Sequence, residues 1–349
     1  MMTSQLENLN QTNQIPLTEQ LLQMIFGAWV TQSIYVAAKL GIADLLKDSA
    51  KSCEELAKST KVDAPSLYRV LRALSSIGIF VEVENCHFQL TPLAGYLRSD
   101  VPGSLRALAI MCGSEDWHWK PWGNILYSIK TGKAAFDNVF GMPLFPYLSQ
   151  NPEAAAIFDA CMTSSSSRYN AAVASGYDFS SIKTLVDVGG GQGSLLATIL
   201  KAFPSLKGMI YDQPHVVVGA KQYLETSGLD GRCQVIGGNF FESIPSGGDA
   251  YIMQHIIHDW DDKSCIMILK NCHRALPENG KILILEDVIP GANEPAFSKF
   301  LDIEMLVMCS GGRERTANEF KKLFDAAGFQ LTNIIPTQFP ISIIEGVKV

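Results

Sequence analysis

Leu185-Val186-Asp187-Val188-Gly189-Gly190-Gly191-Gln192-Gly193-Ser194 reads as a β-strand running into a glycine loop and then a helix. Such a loop lets the backbone approach a ligand and turns the first N–H groups of the helix toward it. The glycine spacing then sorts the ligand. A dinucleotide fingerprint, G-x-G-x-x-G, would need glycine at Ser194, whereas the loop fits D-x-G-x-G-x-G with Asp187 ahead of it. Hydride transfer is therefore the poorer reading. Asp212 ends the next apolar segment about 20 residues further on, where an acid can accept both hydroxyls of a ribose. Taken alone it would be a turn acid ahead of Pro214.

Outward from this loop, strand-like segments at 184–188, 208–212, 233–237, 250–254 and 281–287 alternate with helical ones near 193–203, 214–226, 261–276, 296–309 and 316–327. FQLTNII and ISIIEGV close the chain. Alternation of this kind predicts a mainly parallel sheet covered by helices on both faces. The short loop from Pro336 to Pro340 requires one of the last two strands to run antiparallel. The expected fold is α/β, a Rossmann-like sheet of seven strands with one antiparallel, over 177–349.

Upstream, a polar leader (1–16) precedes apolar residues at helical spacing from Leu21 to Leu40. Ser52 with Glu55 forms a capping box, a helix from Pro65 stops at Gly78, and IFVEV and HFQLT flank a turn expected at Glu84 and Asn85. Helix, turn, helix and hairpin make a winged-helix pattern over 17–101. Its second helix offers only Arg69 and Arg72 and its hairpin carries Glu82 and Glu84, which favours dimerisation over nucleic-acid binding. The stretch 102–176 is expected to be helical, broken at Gly132, Pro143, Pro146 and Pro152, and to contribute to a substrate pocket.

The net charge of −7 speaks against a phosphate backbone as the main partner. Eight cysteines stand singly without a C-x-x-C pair, as expected of reduced thiols, and no His or carboxylate cluster has metal-ligand spacing, so no metal is expected. MMTSQLENLNQTNQIP lacks the features of a signal peptide, and no apolar run approaches the roughly 18 residues of a membrane span. The cytoplasm is the default, with no membrane partner.

VDVGGGQG, YDQPHVV, GGNFFESIP, QHIIHDWDD, ILEDVIP and GGRERT follow one another as in the plant and bacterial O-methyltransferases similar to caffeic acid O-methyltransferase. The resemblance extends from about Leu21 to the C-terminus. It implies S-adenosyl-L-methionine as cofactor and a homodimer formed through the N-terminal domain. Asp187, Gly189, Gly190, Gly191 and Gly193 would surround its methionine part, Asp212 the ribose, and Asn239, Phe240 and Gln254 the adenine, with Gln213, Asp259 and Trp260 completing the shell. The family often has an acid where Asn239 stands and a Lys where Gln254 stands, so adenine recognition would differ in detail.

Methyl transfer from a sulfonium needs alignment and a better nucleophile, and His suits removal of a hydroxyl proton near neutral pH. Of six histidines, only His258 lies in a motif just past the C-terminal end of a strand. The resemblance makes it the general base and makes Glu286 and Glu314 the acids that orient it. Taken singly, Glu314 would be a surface acid paired with Arg313 or Arg315. By the same resemblance Met111, Phe145, Phe158, Met162, Met305 and Cys309 line the pocket for a small hydroxylated acceptor, aromatic or polyketide-like. Family members repurposed for hydroxylation, decarboxylation or pericyclic chemistry are an alternative, as is a winged-helix regulator that senses the cofactor.

Overall fold

The computed structural model describes residues 15–349, so most of the polar leader lies outside the described residues. The described residues divide into two compact units, the first ending at Ser114 and the second spanning Glu115–Val349.

In the first unit two helices, Leu17–Ile25 and Gly27–Lys39, meet at a 45° bend. Among the described residues no single helix is long and apolar enough to cross a membrane, although this bent pair meets the length and composition when its two members are taken together. The helix Leu17–Ile25 buries none of its residues, and Leu17, Leu21, Met24, Ile25 and Trp29 are exposed.

Strand β1 (Lys51–Ser52) leads into the helix Cys53–Thr60, whose capping box joins Ser52 and Glu55 in both directions. Such a cap contributes about 1 kcal/mol. Asp63 caps the helix Ala64–Ser76. Leu56, Leu67, Leu71 and Leu74 then pack with Phe80 of β2 (Phe80–Glu82) and Phe88 of β3 (His87–Leu90). The hairpin turn sits one residue later than expected: Asn85 and Cys86, at φ 53° and 59°, are its central residues, closed by the His87 N–H to the Glu84 carbonyl. β1 joins β3 as a third strand that the sequence did not announce.

The second unit opens with short helices, then the long helix Pro152–Gly176. Gly132 and Pro143 interrupt helices as expected, but Pro146 does not. It lies in the first turn of the helix Leu144–Gln150, where a backbone N–H has no intrahelical partner to lose.

Strands β4 (Thr184–Val188), β5 (Lys207–Asp212), β6 (Cys233–Gly237), β7 (Ala250–Gln254), β8 (Lys281–Asp287), β9 (Phe329–Pro336) and β10 (Ile341–Lys348) form one sheet in the order β6-β5-β4-β7-β8-β10-β9. β10 runs antiparallel to β8 and β9, and the pairings among β4 to β8 are parallel. Both faces are covered, so alternate residues feed opposite cores. Leu185 packs with Leu195, Ile199 and Ile210, while Val186 and Val188 pack with Tyr251, Met253 and Ile268. Each fully buried aliphatic side chain contributes about 1.5–3 kcal/mol. From β4 the chain builds outward to β5 and β6, then crosses to the other side of β4 for β7 and β8. In open α/β sheets ligands bind at such a reversal, which here lies between β4 and β7 at the carboxyl edge of the sheet.

Candidate active site

The glycine loop after β4 is held in place by its own strand's neighbour, since the Gly189 N–H donates to the Tyr211 carbonyl at 2.7 Å. Gly189 and Gly193 have φ of 74° and 83°, and a Cβ on either would come within 2.3 or 2.4 Å of Ile256 or Ile210. Only glycine fits there. The Gly191 N–H donates to Oδ2 of Asp212 at 2.8 Å, and the Gln213 N–H to its Oδ1 at 2.6 Å. The Asp187 carboxyl lies beneath the loop, where a Cβ on Gly190 would strike it. Its Oδ2 is buried without a hydrogen-bond partner, and burial, then the nearby Asp212, pushes its pKa up to about 7. A ligand with a cationic end would relieve that arrangement.

Beyond β7, His255 takes a left-handed φ of 52°, and a short 3-10 turn, Ile257–Asp259, delivers His258 with 8% exposure. Nδ1 of His258 lies 2.7 Å from Oε1 of Glu314 and 3.3 Å from Oε2 of Glu286, and both acids are buried at 1% and 0% exposure. With Glu314 ionised, the neutral imidazole carries its one proton on Nδ1 and donates it, so its lone pair is on Nε2. Oδ1 of Asp259 lies 3.6 Å from Nε2. Burial opposes a charge on His258, yet Glu286, Asp259 and Glu314 override it and raise the imidazole well above its ordinary value. Burial pushes Asp259 to about 6. Burial acts on Glu286 too, but His258, His255 and backbone N–H groups hold it below the usual range, whereas burial lifts Glu314.

Glu314 thus departs from the pairing its neighbours suggest. Arg313 pairs with Glu319, and Arg315, 1% exposed, donates to the carbonyls of Ile257 and Trp260 at 2.9 and 2.8 Å and bridges Asp262. Arg315 clamps the turn that carries His258, and Asp302 accepts the Glu314 N–H at 2.9 Å. Sequence reasoning passed over both roles; the repeated charges of GGRERT were the available signal for Arg315, and Asp302 lies outside that motif. It also passed over Glu304, whose carboxylate takes Nε2 of His118 at 2.8 Å and the indole N–H of Trp122. His255, treated only as one of six, lies with Nδ1 3.7 Å from Oε2 of Glu286.

The other expected residues fall into groups. Trp260 stacks on Phe145 (5.6 Å, 23°) and meets Phe240 edge-on; Phe145 meets Phe158, which meets Trp117. Cys309 lies 3.6 Å from Oδ1 of Asp259, with Met305 buried one turn earlier on the helix Ser298–Met308. Met162 is half-buried on Pro152–Gly176, and Gln254 has a buried amide nitrogen without a partner. Asn239 is exposed and spends its side chain on a local turn with Phe241 and Glu242, and the Gln213 side chain is exposed. Met111 belongs to the first unit, buried on the helix Arg106–Gly113.

Residues 122–330 match the model of an O-methyltransferase domain, and residues 22–100 that of an O-methyltransferase dimerisation domain. The chain is 48% identical over 96% of its length, and 98% of the relative's, to the phenazine O-methyltransferase PhzM of Lysobacter antibioticus. The crystal structure of LaPhzM superposes with a TM-score of 0.92 at 48% identity, covering 96% of this chain and 100% of that one. NcsB1, an O-methyltransferase from neocarzinostatin biosynthesis solved with S-adenosylmethionine and 2-hydroxy-5-methyl naphthoic acid, gives 0.79 at 29% identity, covering 92% and 96%. A glycine loop with no room for a side chain at Gly189 or Gly193, an unrelieved acid beneath it and this family likeness agree: the chain belongs to the S-adenosylmethionine-dependent O-methyltransferases with an N-terminal dimerisation domain, enzymes acting on small secondary metabolites.

Proposed function

We propose that this enzyme methylates a hydroxyl of a small, flat aromatic or polyketide-like acceptor in the cytoplasm, as a homodimer joined through residues 17–101, with His258 as general base. The observation that carries the reading is the 2.7 Å contact between Nδ1 of His258 and Glu314, which leaves Nε2 free to accept a proton. S-adenosyl-L-methionine, when bound, supplies a methyl group already activated as a sulfonium. Asp212 would hold its ribose, and Asp187 and the glycine loop its cationic amino acid end.

Nε2 of His258 takes the acceptor's hydroxyl proton, and Glu314 and Glu286 stabilise the imidazolium that results. Burial strengthens that stabilisation by excluding water. The wall of Trp260, Phe145 and Phe158, with Met162, Met305 and Cys309, would orient the ring of the acceptor, since aligned reactants gain several kcal/mol of barrier reduction. Likeness to a phenazine O-methyltransferase supports a fused-ring acceptor.

The test incubates the protein with labelled S-adenosyl-L-methionine and a panel of hydroxyphenazines, phenols, flavonoids and polyketides, comparing wild type with His258→Ala. Labelled ether product that falls about 10²–10⁴-fold in the variant is the expected result. Product undiminished in His258→Ala would end the base assignment, and no product from any acceptor would end the hydroxyl-methylation reading.

A further inference from the structure

We propose that His255, His258 and Glu286 form a binding site for a divalent transition metal of the zinc type, and that a metal held there switches the enzyme off. One donor atom from each of the three lies within 4.8 Å of the other two. Oε2 of Glu286 is 3.3 Å from Nδ1 of His258 and 3.7 Å from Nδ1 of His255. A tetrahedral zinc ion with bonds of about 2.0–2.2 Å separates its ligands by about 3.4 Å, so small shifts complete the site. Oε2 of Glu286, on a residue with 0% exposure, and Nδ1 of His255 are both buried without a hydrogen-bond partner. His255 has a left-handed φ, and its ring stacks on that of His258, 5.1 Å away at 28°. Two imidazoles and one carboxylate favour zinc, cobalt, nickel or copper over magnesium or calcium.

The inhibition rests on His258 being the base. A metal on Nδ1 takes the lone pair there and displaces the proton shared with Glu314. A neutral imidazole bound in this way carries its one proton on Nε2. That nitrogen can then donate but not accept, and the acceptor hydroxyl keeps its proton.

Cobalt(II) titrated into the full-length protein and followed by visible absorption tests the site, with zinc inhibition of turnover followed in parallel. Expected is one equivalent of tetrahedral cobalt without the near-ultraviolet band of thiolate ligands, reversed by a chelator. His255→Asn, which keeps a residue tolerant of a left-handed φ, should weaken cobalt binding about tenfold or more while the variant still melts cooperatively. A thiolate band, or binding unchanged in His255→Asn, would overturn the site. Cobalt binding as expected with turnover undiminished would overturn the inhibition, and the product yield of His258→Ala then tells whether the base assignment has failed with it.

Discussion

Glu286 holds His258 at two points: Oε1 accepts the backbone N–H of His258 at 3.3 Å, and Oε2 lies 3.3 Å from Nδ1 of the ring. Oε1 also accepts the N–H of Ile257 at 3.0 Å. One buried side chain therefore fixes both the turn and the ring it carries. Glu286→Gln keeps an oxygen for the two N–H groups and removes the charge, while Glu286→Ala strands both donors at about 1–3 kcal/mol each. Calorimetry should rank melting temperatures as wild type, Gln, then Ala, with turnover already reduced in the Gln variant. An Ala variant that melts no lower than Gln would show that the backbone bonds carry no stability.

Three carboxylates outweigh the burial that would otherwise strip His258 of its proton, and its pKa is raised accordingly. The free base then appears only above the ordinary histidine range, so kcat/KM should climb with pH along a limb displaced to the alkaline side. Glu314→Gln removes one of the charges while its amide oxygen can still accept the Nδ1 proton, so that limb should move toward lower pH. Stability follows the same group with a definite sign. Because the folded pKa is raised, the charged imidazole stabilises the fold fully below the unfolded pKa, and that contribution is lost as pH rises through the folded value. Melting temperature measured across that window should fall less steeply in Glu314→Gln, and a rate limb that stays in place would count against the assignment.

What could be read ahead of the structure was what local chemistry encodes. The glycine loop, Asp212, His258 and the alternating strands each carry a signal within a few residues, and the antiparallel ending follows from one short loop. Partners set by distant segments were harder. Glu314 sits between Arg313 and Arg315, which taken singly suggests a surface ion pair; the family resemblance assigned it to the base instead, and the physical reason, burial beside His258, lies 56 residues away. The charges of GGRERT mark Arg315 without saying which carbonyls it clamps, and Asp302 acts through the backbone N–H of Glu314, which no side-chain pattern announces. Pro146 misled because a proline marks a break or a first turn equally well until the helix start is known.

Gly189 supplies a test of the cofactor loop with a built-in control. Its φ of 74° costs an alanine about 1–2 kcal/mol, and the new Cβ would also lie 2.3 Å from Ile256. Gly228 shares the backbone problem at φ 69° but has nothing within 4 Å, at the end of the helix Val217–Thr226. Gly189→Ala should weaken S-adenosylhomocysteine binding by tenfold or more, on the order of 1.4 kcal/mol, in titration calorimetry. Gly228→Ala should lose stability with affinity unchanged. Equal affinity in the two variants would mean the loop does not approach the ligand.

Arg315 separates positioning from binding. Its guanidinium reaches two carbonyls on either side of His258, those of Ile257 and Trp260, and its ion-pair partner Asp262 is 58% exposed on its side chain. Removing the arginine leaves Asp262 to water at little cost, so the loss falls on the two carbonyls. Met fills much the same volume but donates nothing, and each carbonyl left unpaired costs about 1–3 kcal/mol. Lys keeps a charge but has a single compact ammonium, which cannot span both acceptors as the planar fork does. Both variants should therefore lower kcat, Met more than Lys, because the turn carrying His258 loosens. The bonds of the Arg315 side chain go to Asp262 and to the carbonyls of Ile257, Arg313 and Trp260, away from the glycine loop and Asp212, so affinity for S-adenosylhomocysteine should hold. A parallel fall in kcat and in that affinity would mean the substitution disturbs the whole carboxyl edge of the sheet and not the catalytic turn.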